Sequence, residues 1–389
     1  MADTVPFLDL ARMHAALRPE LDAAWHEAVD SSGFIGGAAV ERFEADWAAY
    51  CGTRHCAGVS DGTAALELAF AALGIGPGDE VIVPANTFIA TVEAVAKVGA
   101  TPVFVDVEPA NLLLDPAAAA AAVGPRTRAI VAVHLYGQPC DMDALGALAS
   151  RHGLALIEDA AQAHGATWRG RRAGSLGTIG CFSFYPGKNL GAFGDAGAVT
   201  TDDGELAATI RSRANHGRPP AAAERCDVLD GNHRLDALQA AVLGVKLRHL
   251  DRWNAARASV VQRYTGALAE TGVCFPSIRD GATSSHHLAI ALVPDRDEVR
   301  RRLAAAGIAT GIHYAIPCHR QPACAALIAD AREQPHVPVV DTTAGRLLSL
   351  PLFPQLTEAE VQRVIDTLAA ILATMDPATC ATLTADRAA

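Results

Sequence analysis

Between residues 59 and 201 short apolar runs alternate with longer stretches of helical periodicity, and this alternation restricts the fold more than any other feature of the chain. The apolar runs lie at 81–83, 102–105, 129–134, 154–158, 181–184 and 198–201. Most are continuous, as strands covered on both faces must be. Helical patterns occupy 63–73, 90–98 and 142–152. Strands joined by helices of that length imply right-handed crossovers and a mainly parallel central sheet, so the expected class is α/β. A short alanine run at 117–122 reads as a surface helix begun by Asp115-Pro116 as cap and first turn. After Gly231 the texture changes to one long helix over 236–253, strands over 287–292 and 308–313, and a helix over 358–373. The expected division is an N-terminal segment 1–33, a large α/β domain 34–251 and a smaller α+β domain 252–389.

Charge and cysteine content narrow the function. A net charge of −11 disfavours nucleic acid or an anionic membrane as the main partner. Nine cysteines without a CxxC pair suit reduced thiols in a cytoplasmic protein. The opening MADTVPFLDL lacks the basic and apolar regions of a secretory signal, and no apolar stretch approaches the roughly 18 residues needed to span a bilayer. His313, Cys318, His319 and Cys324 follow none of the common zinc spacings, so no metal is expected.

Three stretches put unusual polar residues where an open α/β sheet binds ligands, beyond the carboxyl ends of its strands. Ser60-Asp61-Gly62-Thr63 precedes a helix. Gly62 permits close backbone approach, and the amides that follow form an anion site, although the same four residues also make an ordinary helix cap. Ile157-Glu158-Asp159-Ala160-Ala161-Gln162 ends a strand with two carboxylates. A buried aspartate there needs a cationic partner, such as a pyridinium nitrogen, unless it merely caps the next helix. In Phe182-Ser183-Phe184-Tyr185-Pro186-Gly187-Lys188-Asn189, a strand-end serine can meet a phosphate, and a lysine beyond a Pro-Gly turn can fold back over the same place. An amine that forms an imine must be neutral, which desolvation favours. A lone lysine is more often a solvated charge; the ordered combination of cradle, acid and lysine argues otherwise.

These motifs, with Pro6-Phe7-Leu8-Asp9-Leu10, Gly78-Asp79-Glu80-Val81-Ile82-Val83-Pro84, Thr87-Phe88, His134-Leu135-Tyr136-Gly137, Ala163-His164-Gly165 and Ser349-Leu350-Pro351-Leu352-Phe353-Pro354, resemble the DegT/DnrJ/EryC1/StrS sugar aminotransferases over nearly the whole chain. That family has the fold type I architecture and uses pyridoxal 5′-phosphate (PLP). The resemblance implies that Gly62, Thr63 and Ser183 hold the cofactor phosphate, Phe88 stacks on its ring, and Asp159 faces the ring nitrogen. Gln162 would lie near the ring hydroxyl, and Lys188 would form the Schiff base. Asn232 resembles the asparagine that reaches the phosphate of the neighbouring subunit, which implies a homodimer with shared sites. Asp230 stands where the family often has glycine, and Ala315 where it often has proline.

The expected reaction is a ping-pong transfer of an amino group from glutamate or glutamine to a nucleotide-linked keto sugar, with Lys188 as acid and base. The stretch from Tyr185 to Asp195, without Glu-Gly-Gly after the lysine, resembles the branch acting on 3-keto-6-deoxyhexoses linked to thymidine diphosphate. Tyr185, His313 and Tyr314 are the candidates for orienting the sugar, and His216 with Arg218 for its diphosphate. Aminotransferases of 4-keto sugars or keto-cyclitols share every cofactor residue. A sugar dehydratase of this fold would carry histidine at position 188, and a PLP-binding transcription regulator would need an added DNA-binding domain.

Overall fold

The computed structural model describes residues 4–219, 224–329 and 335–375. Helices α1 (Leu10–Asp30) and α2 (Ala38–Cys51) lead into the alternating region. There the order is β1 (His55–Val59), α3 (Gly62–Ala72), β2 (Glu80–Pro84), α4 (Ile89–Lys97), β3 (Thr101–Val105) and α5 (Pro116–Ala122). It continues through β4 (Thr127–Val133), α6 (Met142–His152) and β5 (Ala155–Asp159). A two-residue hairpin, β6 (Thr167–Trp168) and β7 (Arg171–Arg172), precedes β8 (Ile179–Ser183), β9 (Gly197–Thr201) and α7 (Gly204–Ala214). Aspartates start the helices: Asp61, Asp115, Asp141 and Asp203 each accept an amide N–H from the first turn.

The seven-stranded sheet has the order β1-β9-β8-β5-β4-β2-β3, with β9 antiparallel to both neighbours and the other strands running one way. This is the mainly parallel sheet that the apolar runs imply. Its register brings the carboxyl ends level: Val133 pairs with Asp159, Pro84 with Val105, and both Val59 and Ser183 with Gly197. Residues that follow β1, β2, β4, β5 and β8 therefore emerge on one edge. Gly197 lets two of these ends meet, since a Cβ there would come within 2.3 Å of the Asp61 carbonyl oxygen.

The second half departs from the sequence expectation in two places. The helix expected over 236–253 is two, α8 (Ala237–Leu247) and α9 (Leu250–Ala267), separated by a tight turn in which the His249 amide bonds the Lys246 carbonyl. Apolar periodicity continues across that turn without glycine or proline, so no local signal marks the break. The strand expected over 308–313 is only two isolated bridges, Ile308 to Val5 and Gly311 to Ser349. After the short β10 (Ala282–Thr283), β11 (Ala289–Leu292) pairs across α10 (Arg296–Ala305), α11 (Ala325–Ala329) and α12 (Pro338–Thr343) with β12 (Leu347–Leu350). The final helix is α13 (Glu358–Leu372), started by a reciprocal Thr357–Glu360 capping box.

Packing forms separate apolar clusters. The largest surrounds the big sheet. Another joins Tyr264 of α9, Leu348 and Leu350 of β12, Leu303 of α10 and Leu368 of α13. A smaller one seats Met13, Leu17 and Leu21 of α1 against Val242 and Val245 of α8. Among the described residues no helix is long and apolar enough to cross a membrane.

Candidate active site

A cavity of about 530 Å³ opens at the carboxyl edge of the sheet. Gly62, Thr63, Phe88, Asp159, Gln162, Ser183, Tyr185, Lys188, His313 and Tyr314 all line it. Asn232, also singled out in the sequence, does not.

One end of the cavity is the start of α3. Asp61 accepts the Ala64 amide at 2.8 Å and its carbonyl accepts that of Ala65. The amides of Gly62 and Thr63, at the helix start, have no partner within the helix. Ser183, ending β8, lies directly beside them: a Cβ on Gly62 would sit 2.6 Å from the Ser183 Cβ. Two exposed amides, two hydroxyls and the positive end of a helix converge there, a cradle for a phosphate.

Asp159, at the end of β5, is 7% exposed. Its Oδ2 accepts a 2.7 Å hydrogen bond from the Thr91 hydroxyl, and its Oδ1 a longer one of 3.3 Å from the Ala161 amide. Thr91 can in turn accept from Thr87, 2.8 Å away. Both threonines lie on the β2–α4 connection and the first turn of α4. Sequence reading missed Thr91; an i,i+4 pair of threonines at a strand-to-helix turn was the available signal.

Lys188 is carried by a turn after β8, closed by its own amide bonding the Tyr185 carbonyl at 2.8 Å. Asn189 anchors the turn, donating to Asn254 Oδ1 at 2.9 Å and the Ser285 carbonyl at 2.8 Å, and accepting from His287 Nδ1 at 3.1 Å. Farther along, buried Lys246 donates to the Gly191 carbonyl at 2.6 Å. Burial lowers the Lys188 ammonium to about 8, partly offset by nearby Asp159. The neighbouring imidazoles are held neutral by burial: His164 is lowered to about 3, His313 to about 4, and His287 well below its usual value.

The wall contributed by residues 313 and 314 hangs on strand-end side chains. Gln162 accepts the Tyr136 amide at 2.7 Å and donates to the Tyr314 hydroxyl at 3.1 Å. The Tyr136 hydroxyl donates to the His313 carbonyl at 2.9 Å. Burial raises the Tyr314 phenol, which therefore stays protonated. Its ring lies 5.5 Å from that of Phe88, and His313 bonds the Ser349 hydroxyl at 2.7 Å. Tyr185 stands at the mouth, 58% exposed.

Asn232 lies outside the cavity, exposed and bridged to Asn215. Asp230, the departure from the family pattern, accepts a 2.9 Å ion pair from Arg213 and also the Gly231 amide. That bonding gives the carboxylate a structural use in this loop. Arg218 is exposed and His216 half-buried nearby.

The cradle beside Gly62, the buried carboxylate of Asp159 and the desolvated amine of Lys188 form a donor set that fits PLP: phosphate, ring nitrogen and aldehyde each meet a group of the right chemistry. A family model described as the DegT/DnrJ/EryC1/StrS aminotransferase family matches residues 16–369. The chain is 48% identical over 367 residues to the erythromycin biosynthesis sensory transduction protein EryC1 of Saccharopolyspora erythraea, covering 94% of this chain and 99% of that one. It is 47% identical to the dTDP-3-amino-3,4,6-trideoxy-alpha-D-glucose transaminase of Streptomyces venezuelae, over 93% of this chain and 94% of that one. The crystal structure of S. venezuelae DesV in complex with a ketimine intermediate matches with a TM-score of 0.91 at 46% identity, covering 96% of this chain and all of the other. With cavity, donor set and relatives in agreement, the chain belongs to the DegT/DnrJ/EryC1/StrS aminotransferase family and is a PLP-dependent enzyme.

Proposed function

We propose that the enzyme transfers an amino group from glutamate or glutamine to C-3 of a nucleotide-linked keto sugar, a thymidine-diphosphate-linked 3-keto-6-deoxyhexose, in amino-sugar and antibiotic biosynthesis. The observation that carries the chemistry is the meeting of Lys188, Asp159 and the Gly62–Ser183 cradle in one cavity. The Streptomyces relative, named for a 3-amino sugar, supports the position on the ring.

In this reading residues 34–251 hold the cofactor and residues 252–389 complete the wall. The amides of Gly62 and Thr63 and the hydroxyls of Thr63 and Ser183 hold the phosphate, and Phe88 covers one face of the ring. Asp159, oriented by Thr91, keeps a proton on the ring nitrogen, and the second N–H of the Gln162 amide meets the ring hydroxyl. When bound, PLP supplies an electron sink for the carbon that loses its proton. Lys188 Nζ removes that proton from the donor's α-carbon and, in the second half of the cycle, delivers one to C-3 of the sugar. Its lowered pKa leaves a usable fraction of neutral amine near neutrality. His313, Tyr314 and Tyr185 orient the hexose. Misplacement by about 1 Å can cost ~10²-fold in rate, so these few contacts suffice to choose between carbons.

Two copies of the chain form a cytoplasmic homodimer in which Asn232 reaches the phosphate of the partner's site, and His216 with Arg218 meets the sugar's diphosphate. The exposed position of Asn232, away from its own cavity, is consistent with this arrangement.

The test supplies a thymidine-diphosphate 4-keto-6-deoxyhexose and glutamate, with and without a 3,4-ketoisomerase, and identifies the product by NMR. Amination at C-3 only in the presence of the isomerase is expected. Efficient amination at C-4 without it would replace this reading with that of a 4-keto sugar enzyme.

A further inference from the structure

The cavity holds a second cation that the scheme above leaves unused. Arg257, on α9, lines the cavity and is 1% exposed. Its Nη1 donates to the Leu352 carbonyl at 3.0 Å, and its Nε is buried without a partner. A guanidinium has five N–H donors, so one carbonyl leaves most of them unspent. Among the described residues it makes no ion pair. The carboxylates of the cavity are committed elsewhere: Asp61 caps α3, Asp159 is bonded by Thr91, and Asp195 is exposed.

A buried guanidinium without an opposite charge is costly; neutral groups offset that cost only in part, and a second positive charge adds to it. The groups around it are of that kind. His164, His286 and His287 lie close enough to feel its charge and are held neutral by burial, and Lys188 is a cation. Burial lowers even Arg257 itself, to about 10, which leaves it charged at neutral pH. The missing complement is an anion that enters with a reactant. In the keto sugar the negative charge sits on the diphosphate, remote from the reacting carbonyl. An amino-acid donor instead carries a carboxylate next to the carbon that loses its proton.

We propose that Arg257 is the carboxylate receptor for the amino donor, its planar fork meeting the two oxygens side by side. Arg257 would thereby hold the donor's α-carbon in reach of Lys188. The proposal rests on the aminotransferase reading and adds the place where the donor binds.

The experiment titrates holoenzyme in a calorimeter with glutarate, a dicarboxylate with neither amine nor keto group, and separately with thymidine diphosphate. It compares the wild type with Arg257→Gln, which keeps a donor for the Leu352 carbonyl but no charge, and Arg257→Lys, which keeps the charge but not the fork. Glutarate affinity should fall at least tenfold in the Gln variant and severalfold in the Lys variant, with thymidine diphosphate unchanged within twofold. Folded variants that bind glutarate as the wild type does would overturn the proposal. So would equal weakening of both ligands, the pattern of a guanidinium that only ties α9 to residue 352. If the Gln variant does not fold, the Lys variant decides by the same criterion. Arg257-dependent glutarate binding in a protein indifferent to thymidine diphosphate would support the receptor and sink thymidine diphosphate as the sugar's carrier instead.

Discussion

The carboxylates of Glu158 and Asp159 leave β5 on opposite faces of the sheet, as consecutive strand residues do. Glu158 is completely buried and accepts four hydrogen bonds, from the amides of Gly174, Leu176 and Gly177 at 2.7–2.8 Å and from His134 Nε2 at 3.0 Å. His134 Nδ1 accepts the Cys140 amide, which fixes the ring proton on Nε2. Asp159 instead faces the cavity. The first carboxylate is a fastening for the loop before β8, and the second is available to a ligand.

This contrast predicts a split. Glu158→Gln turns an acceptor into a donor opposite donors, and each one left unmet costs about 1–3 kcal/mol. Denaturant unfolding should show that loss. Asp159→Asn should keep most of the stability but lose about 10²-fold or more in turnover, the scale of one preorganised electrostatic group. Equal destabilisation by both variants would show that the two carboxylates are not divided in this way.

Lys188→Ala should lower turnover by ~10²–10⁴, and borohydride should no longer fix the cofactor to the protein. The pH dependence follows from the lowered pKa. The folded protein releases this proton near pH 8, whereas an exposed lysine holds it to about 10.5. The neutral amine therefore increases about tenfold per pH unit up to 8 and then levels off. Capture of PLP by apoprotein, followed by absorbance, should show that plateau. A rate still climbing steeply at pH 9.5 would mean that burial does not set the pKa.

Acid should destabilise the fold through its buried imidazoles. His164, His286 and His313 stay neutral down to about pH 3–4, but in the unfolded chain they take up protons below 6.5. The unfolded state then binds more protons, so stability falls as pH drops from 6.5 towards 4. Calorimetry should show the melting temperature declining through that window, with net proton uptake on unfolding. His164→Phe should reduce the slope.

If Asn232 acts across the dimer interface, Lys188→Ala and Asn232→Ala proteins should each be poorly active. Mixed and reassociated, they should regain part of the activity, because one site in each heterodimer then has both residues intact. Confirmed chain exchange without recovery would remove Asn232 from the partner's site.

The parallel sheet was legible because its buried strands are continuous apolar runs. Asp159, Ser183 and Lys188 were legible because rare polar residues follow those runs. The missing parts have physical reasons. β1 and β12 are short, and Gly58 or Ser349 interrupts their apolar character. The break between α8 and α9 lies inside an unbroken helical pattern. Arg257 escaped notice because it sits within a helix, where nothing local distinguishes a buried guanidinium from a solvated one, and Thr91 offered only its i,i+4 spacing from Thr87. Their importance arises only from what the fold sets opposite them.

The hydrogen bonds from Tyr136 and Gln162 to residues 313 and 314 have an evolutionary consequence. The groups suited to the cofactor stand on the edge of the large sheet, while this part of the wall belongs to a distant segment of chain suspended from that edge by two side chains. Replacing the suspended segment would reshape the mouth without touching Lys188, Asp159 or the cradle. Lineages can thus diversify in which sugar they accept while inheriting an unaltered reaction centre.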